Sequence, residues 1–163
     1  MPKERVVDGL TFSYSGIINF ADLYKSLKNF WEEKGYDFIE KKHEEKIFED
    51  GTKSIKYEWY CEKKVTDYAK YIFEWTISIE KLRLIKKEGI THEYAENLLL
   101  KINGDLELDY DKYFGDKPFG IFLRALFERY LVGDEIRTHK KNISSIANNF
   151  LDLLKTLTGS YKT

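Results

Sequence analysis

The chain has little of what stapled, fibrous or membrane proteins need. Among its 163 residues there is one cysteine, Cys61, so no disulfide can form within the chain, and no Cys/His framework for zinc is present. Two prolines and ten glycines are too few for a collagen-like sequence. The longest apolar runs, such as 98–100, fall far short of the roughly 18 residues of a membrane span. The charged segment 1–8 contains no signal-like apolar stretch, so we expect a cytoplasmic protein without a membrane partner.

The chain also lacks an excess of either charge, which argues against a highly charged binding partner. There are 27 basic and 28 acidic side chains, and neither half of the chain is a polyelectrolyte. Aromatic residues alternate with lysines in the middle of the chain, as in sheets that stack single-stranded bases, but Glu58, Glu62 and Glu74 lie among them. We therefore expect no nucleic-acid partner. The abundant lysine and glutamate and the absence of glutamine are typical of thermophilic organisms and equally of AT-rich genomes.

The first third of the sequence predicts a strand, a helix and an edge strand. Apolar and polar residues alternate over 10–18, which is the period of a strand with one buried face. Asn19 can cap a helix, apolar residues recur every three or four positions over 20–31, and Gly35 can end the helix in the left-handed conformation. The charged segment 36–46 is predicted to be an edge strand, because charge there discourages intermolecular pairing.

The middle of the chain predicts a meander of four or five strands. Asp50-Gly51 marks a tight turn before the alternating segment 55–61. A second alternating segment covers 71–79, and beyond it the apolar residues move from odd to even positions. We expect a bulge near Glu80-Lys81, because one extra residue reverses the side-chain parity.

The dipeptide Asn103-Gly104 predicts a further hairpin. Even-numbered apolar residues lie on both sides of it: Leu98, Leu100 and Ile102, then Leu106, Leu108 and Tyr110. A two-residue loop would place Leu100 opposite Glu107 and so mix apolar with acidic side chains on one face. We therefore expect a loop of three or five residues with a left-handed glycine.

Two helices are predicted to complete the chain. Asp116 and Pro118 suit a cap and a first helical residue, and Gly133 is predicted to end this helix. The last helix is predicted to begin near Asp134 and to end at Gly159. Its length of about 24 residues corresponds to roughly 36 Å.

These elements predict an α+β fold in a single domain, residues 1–163, with the order β-α-β(4-5)-α-α. An antiparallel meander sheet packed on a long C-terminal helix suits that order, because helices then cover the apolar face of the sheet. The order resembles the helix-grip architecture of START-related proteins, in which a curved sheet wraps a long C-terminal helix. The resemblance implies a cavity between sheet and helix, and it carries no residue roles because it rests on element order.

Carboxylates and histidines offer little for metal binding or catalysis. Asp105, Glu107, Asp109 and Asp111 share one face of a predicted strand, and oxygen ligands of this kind suit calcium or magnesium. They lack the glycine and glutamate positions of an EF-hand loop, so we interpret this face as solvated. No two histidines lie within four residues of each other, and no nucleophile elbow or phosphate loop is present. We expect no metal, no cofactor and no catalytic residue.

The aromatic residues of the middle strands suggest a binding site for a small apolar molecule. Inward-pointing Tyr and Trp bring hydroxyl and indole donors, which need partners when they are buried. A mostly apolar pocket with a few polar groups meets that need. The predicted ligand-binding residues are Tyr57, Trp59, Tyr71, Phe73 and Trp75 on the sheet and His139, Ile143, Ile146 and Phe150 on the last helix. The alternative is a solid core in which the same side chains fill the space.

Two other functions remain open from the sequence. The helix predicted within 118–132 has more apolar residues than one packing face needs, and excess apolar surface is typical of interfaces. The protein would then be an interaction or assembly module that forms homo- or hetero-oligomers. An enzyme that uses a pocket carboxylate such as Glu58 or Glu74 is the other alternative, although we favour a non-catalytic protein.

Overall fold

The computed structural model describes residues 3–108, 115, 117–130 and 133–161. In chain order the elements are β1 (Lys3–Ile18), α1 (Phe20–Glu33), β2 (Asp37–Ile47), β3 (Lys53–Lys64), β4 (Ala69–Lys87), β5 (Ile90–Leu108), α2 (Pro118–Tyr130) and α3 (Gly133–Tyr161). The strands form one antiparallel sheet in the order β1-β5-β4-β3-β2. The predicted α+β architecture, an antiparallel sheet with a long C-terminal helix, is confirmed.

Helices cover one face of the sheet, which we call the inner face. Because successive side chains of a strand alternate, this face receives the odd positions of β3, those of β4 up to Ile79, and the even positions of β5 from Leu98 onward. α3 packs mainly over β1 and β5, whereas α1 packs against β2 and against α3. Leu23, Leu27 and Trp31 are buried at four-residue spacing on α1. Two helices therefore share the inner face.

The predicted ends of α1 are confirmed. Oδ1 of Asn19 accepts a hydrogen bond from the backbone N–H of Asp22 at 3.2 Å, which caps the first turn. Gly35 has a φ of 81°, and the N–H of Tyr36 donates to the carbonyl of Trp31 at 3.0 Å. A left-handed glycine followed by this backbone bond is how many helices end, and it turns the chain into β2.

The predicted edge strand and bulge are also confirmed. β2 is exposed along almost all of its length and lies at one edge of the sheet. Between β3 and β4 the register shifts, since Lys53 pairs with Leu82 whereas Ile55 pairs with Ile79. Lys81 adopts a positive φ of 51° at this point. The extra residue in β4 returns Leu82 to the buried side, as the parity change requires.

The hairpin predicted at Asn103-Gly104 is wrong. β5 runs through the dipeptide, with Asn103 opposite Glu74 and Gly104 opposite Phe73 of β4. The glycine lies in the strand because α3 approaches the sheet there: a Cβ on Gly104 would lie 2.9 Å from Cγ2 of Ile143. The even-numbered apolar residues on both sides of the dipeptide belong to one continuous strand.

The turn between β4 and β5 lies at Glu88-Gly89 instead. These two residues have φ values of 55° and 80°, and Lys87 pairs with Ile90 across the turn. Two successive positive φ values define the two-residue turn that matches the twist of a hairpin. This turn has a weak sequence signal, because glutamate, rather than Asn or Asp, precedes the glycine.

The last helix is longer than predicted, and Gly159 does not end it. α3 covers 29 residues, which corresponds to about 44 Å. It extends to Tyr161 because that side chain is held in place: its hydroxyl donates to Oδ2 of Asp22 on α1 at 2.9 Å. Gly133 begins α3, while Asp116 lies outside the described residues.

The predicted solvated face of β5 is not found at Asp105. Asp105 is only 2% exposed, and its Oδ1 accepts a hydrogen bond from Nε of Arg5 at 2.5 Å. Nζ of Lys3 lies 3.6 Å from its other oxygen. The two cations reach Asp105 because β1 pairs with β5, and a buried carboxylate needs such partners. Asp109 and Asp111 lie outside the described residues.

Candidate functional site

Seven of the nine predicted ligand-binding residues are buried, and Tyr57 and Ile146 are half-buried. In the middle of the inner face the ring of Trp75 contacts that of Phe150, with ring centres 5.1 Å apart. Phe73 and Ile143 lie together against Gly104. The indole N–H groups of Trp59 and Trp75 are buried, and neither has a hydrogen-bond partner within the described part of the chain. The structure thus brings sheet and helix residues together and leaves some inward-pointing donors unused.

Side chains of α1 also lie between the sheet and α3, next to the predicted ligand-binding residues. The ring centre of Trp31 lies 4.8 Å from that of Phe73 and 5.0 Å from that of Phe150. Tyr57 stacks on Tyr24 of α1, with ring centres 4.5 Å apart. The apolar stripe of α1 was the signal for this contact, since a helix with such a stripe must bury it against something.

A pocket opens at one end of the junction between the sheet and α3. It lies where the first turns of α3 meet the β3–β4 loop and the end of β5, and its volume is about 270 Å³. We call it the loop-side pocket. Its lining residues are Thr66, Asp67, Tyr68, Ala69, Leu108, Glu135, Ile136 and His139. His139 is the one predicted ligand-binding residue in this lining.

His139, which lines the loop-side pocket, forms a buried pair with Tyr71 behind it. Oη of Tyr71 lies 2.6 Å from Nδ1 of His139, and the two residues are 3% and 7% exposed. Nε2 of His139 lies 3.7 Å from Oε1 of Glu135, one turn earlier on α3. A carboxylate beside Nε2 favours a proton on that nitrogen, so we assign Nδ1 as the acceptor of the Tyr71 hydroxyl. Burial raises the pKa of Tyr71, which keeps this hydroxyl protonated.

A second, more open pocket lies on the other side of Tyr71. Its volume is about 550 Å³, and we call it the α1-side pocket. Its lining residues are Glu33, Lys34, Tyr36, Lys63, Val65, Tyr71, Asn142, Ser145 and Ile146. Nδ2 of Asn142 donates to the Tyr71 hydroxyl at 3.4 Å, so Tyr71 joins the polar groups of both pockets. Nζ of Lys63 donates to the carbonyl of Lys34 at 2.6 Å and thereby occupies an unpaired carbonyl at the end of α1.

The two carboxylates considered for catalysis lie on the other face of the sheet. Glu58 and Glu74 occupy even positions of β3 and β4, opposite in direction to the inward-pointing aromatic residues. They contribute to a pocket of about 200 Å³ together with Lys41 and Lys101. The structure therefore does not bring them together with Tyr71 and His139.

The second helix leaves much of its apolar surface uncovered. Phe119 and Phe122 are 71% and 60% exposed, and Ile121 and Leu126 are also exposed. The contacts of α2 with the rest of the described chain are mainly with α3. Exposed apolar side chains grouped on one helix are typical of interaction sites.

Comparison with known proteins leaves the site to be interpreted from its own residues. No known protein family matches the chain, and neither does any curated protein. In the part of the chain that the structure describes, no helix is both long and apolar enough to cross a membrane. Nor does that part group three His, Cys, Asp or Glu side chains as around a metal ion. The cytoplasmic location stays a prediction.

Proposed function

We propose that the protein binds a small, mainly apolar molecule in the loop-side pocket. The observation that carries the proposal is the buried hydrogen bond of 2.6 Å between Tyr71 and His139, beside an opening with a mainly apolar lining. Sites for small molecules combine an apolar wall with a few polar groups that fix the orientation of the ligand. The volume of about 270 Å³ lies near the lower limit for such sites, so the ligand is small.

The proposal extends to the type of fold. β1 and β5, the first and last strands along the chain, are neighbours in the sheet, and α3 packs over them on the inner face. This arrangement supports the resemblance to helix-grip proteins. Because Trp31 of α1 shares the middle of the inner face with Phe73 and Phe150, we place the ligand at the end of the junction rather than at its middle.

A fluorescent ketone tests the proposal. The probe 6-acetyl-2-dimethylaminonaphthalene is uncharged, and its emission moves to the blue when it leaves water. We expect saturable binding with a blue shift. Ile136→Trp enlarges a half-buried lining residue and should weaken binding by about tenfold or more, which is about 1.4 kcal/mol.

The matched control is Thr156→Trp, at an exposed position of α3 outside the pocket lining. This variant should bind the probe like the unmodified protein. Absence of saturable binding would contradict the proposal. Equal affinities in the two tryptophan variants would do so as well, because the probe would then lie elsewhere.

Association with a second copy of the chain through α2 is the second candidate function. Phe119, Phe122 and Leu126 recur at spacings of three and four residues, so their exposed side chains share one helix face. Light scattering should then give a mass above 19.4 kDa at high concentration. Phe122→Glu should return the mass to the monomer value, whereas Lys117→Gln, with the same change of charge, should not. A monomer at every concentration would contradict self-association.

A further inference from the structure

The lining of the loop-side pocket indicates the chemical class of its ligand. This inference rests on the function proposed above. We propose that the pocket selects an uncharged molecule with an apolar body and one hydrogen-bond acceptor, such as a ketone. We also propose that it discriminates against the corresponding carboxylate. Three properties of the lining lead to this class: its single imidazole donor, its acidic side chains and its apolar wall.

The imidazole of His139 offers one N–H group to a ligand. Its Nδ1 is already occupied by the Tyr71 hydroxyl at 2.6 Å. The proton on Nε2 is directed towards the side of Glu135, but the distance of 3.7 Å to that carboxylate exceeds a hydrogen bond. The Glu135 side chain is also more than half exposed and can turn towards water. An acceptor atom of a ligand can therefore replace it beside Nε2.

The charges of the lining act against an anionic ligand. Asp67 and Glu135 are acidic, and none of the other described lining residues is Lys or Arg. A carboxylate that entered the pocket would lose hydration and would meet two groups of its own charge. A ketone oxygen accepts the same hydrogen bond, loses much less hydration than a carboxylate and carries no charge for the two acidic groups to repel.

The apolar wall receives the rest of the ligand. Tyr68 provides it from the β3–β4 loop, Ala69 from the start of β4, Leu108 from the end of β5 and Ile136 from α3. Ala69 and Leu108 are buried, whereas Tyr68 and Ile136 are half-buried. A flat aromatic or short aliphatic body placed here covers carbon surface on both the sheet and the helix.

Three naphthalenes with the same ring system separate the contributions. They are 2-acetylnaphthalene with a ketone, 2-naphthoate with a carboxylate and 2-ethylnaphthalene with no acceptor, each measured by calorimetry. We expect 2-acetylnaphthalene to bind about tenfold more tightly than 2-naphthoate and severalfold more tightly than 2-ethylnaphthalene. If 2-naphthoate or 2-ethylnaphthalene binds as tightly as the ketone, the ligand class is wrong although the site stands. If none of the three binds, the function proposed above fails together with the class.

A variant at the mouth of the pocket tests the charge argument. Glu135→Gln removes a charge at a largely exposed position, so the fold should persist. The affinity for 2-naphthoate should rise about two- to fivefold at low ionic strength, while that for the ketone should change less. Asp152→Asn, at an exposed position of α3 outside the pocket lining, is the matched control and should change neither affinity. An unchanged 2-naphthoate affinity in Glu135→Gln would overturn the role of the acidic groups.

Discussion

Gly104 lies where α3 comes closest to the sheet, and replacing it with alanine has a predictable cost. The added Cβ would lie 2.9 Å from Cγ2 of Ile143 and 3.1 Å from a ring carbon of Phe73. Carbon atoms in a well-packed core prefer about 3.5–4.0 Å, so the helix or the ring must move. Overpacking of this kind destabilises the folded protein by about 1–3 kcal/mol. The alanine also lowers the conformational entropy of the unfolded chain, which offsets about 0.4–1 kcal/mol of that cost.

We therefore expect Gly104→Ala to lower the free energy of unfolding by about 1–2 kcal/mol. For a chain of this length the midpoint of thermal unfolding should fall by about 2–8 °C. Urea unfolding measures the free-energy change. Gly159→Ala is the control, because a Cβ there meets nothing within 4 Å and the position lies inside α3. That variant should be more stable by about 0.5–1 kcal/mol.

A double-mutant cycle identifies the cause of the destabilisation. Ile143→Ala removes the methyl group that the new Cβ would meet, although it leaves a cavity of its own. In that background Gly104→Ala should cost about 1 kcal/mol less than in the unmodified protein. If Gly104→Ala is neutral, or if its cost is the same in both backgrounds, the close approach of α3 to β5 is refuted.

Other parts of the structure give three further predictions. Tyr71→Phe should lower the free energy of unfolding by about 1–2 kcal/mol, because Nδ1 of His139 loses its donor; Tyr60→Phe, whose hydroxyl bonds Glu62 at 2.9 Å on the other face, should cost less in the same urea experiment. Burial raises the pKa of Cys61 to about 12, so at pH 8 the native protein should react with a thiol-specific disulfide reagent about 10³-fold more slowly than in denaturant; equal rates would contradict this burial. Asn19→Ala should cost about 1 kcal/mol in thermal unfolding through loss of the α1 cap, and an unchanged midpoint would contradict the role of that cap.

Local signals in the sequence predicted most of the elements. Asn19 and Gly35 mark the two ends of α1, and the parity change after Glu80 marks the bulge at Lys81. These features depend on a few neighbouring residues, so a pattern within a short window contains the information. The charged segment that forms β2 is another example, because protection of an edge is a property of the strand itself.

Features that depend on distant residues were not predictable in the same way. Asn103-Gly104 has the composition of a tight turn, but its glycine accommodates Ile143 from a helix about forty residues later in the chain. Apolar residues occupy even positions on both sides of the dipeptide, which is also the pattern of one continuous strand, so the local pattern does not separate the strand from the hairpin. Asp105 looked like a solvated residue for a similar reason, since Arg5 reaches it only when β1 pairs with β5.

In the candidate site, too, single residues were predictable from the sequence, whereas contacts between distant residues were not. His139 is among the ligand-binding residues predicted from the sequence, and it lines the loop-side pocket. Its partner Tyr71 was expected on the inner face, but no spacing in the sequence could pair the two across 68 positions. Trp31 was not considered for the inner face, because the stripe of α1 shows that the helix is buried without showing against what.

Nuclear Overhauser effects between 2-acetylnaphthalene and the methyl groups of the protein test the central claim most directly. The loop-side pocket predicts contacts from the naphthalene ring to the methyl groups of Ile136 and Leu108. Contacts to Ile146 in the α1-side pocket, to Leu126 on α2, or to no methyl group at all would contradict it.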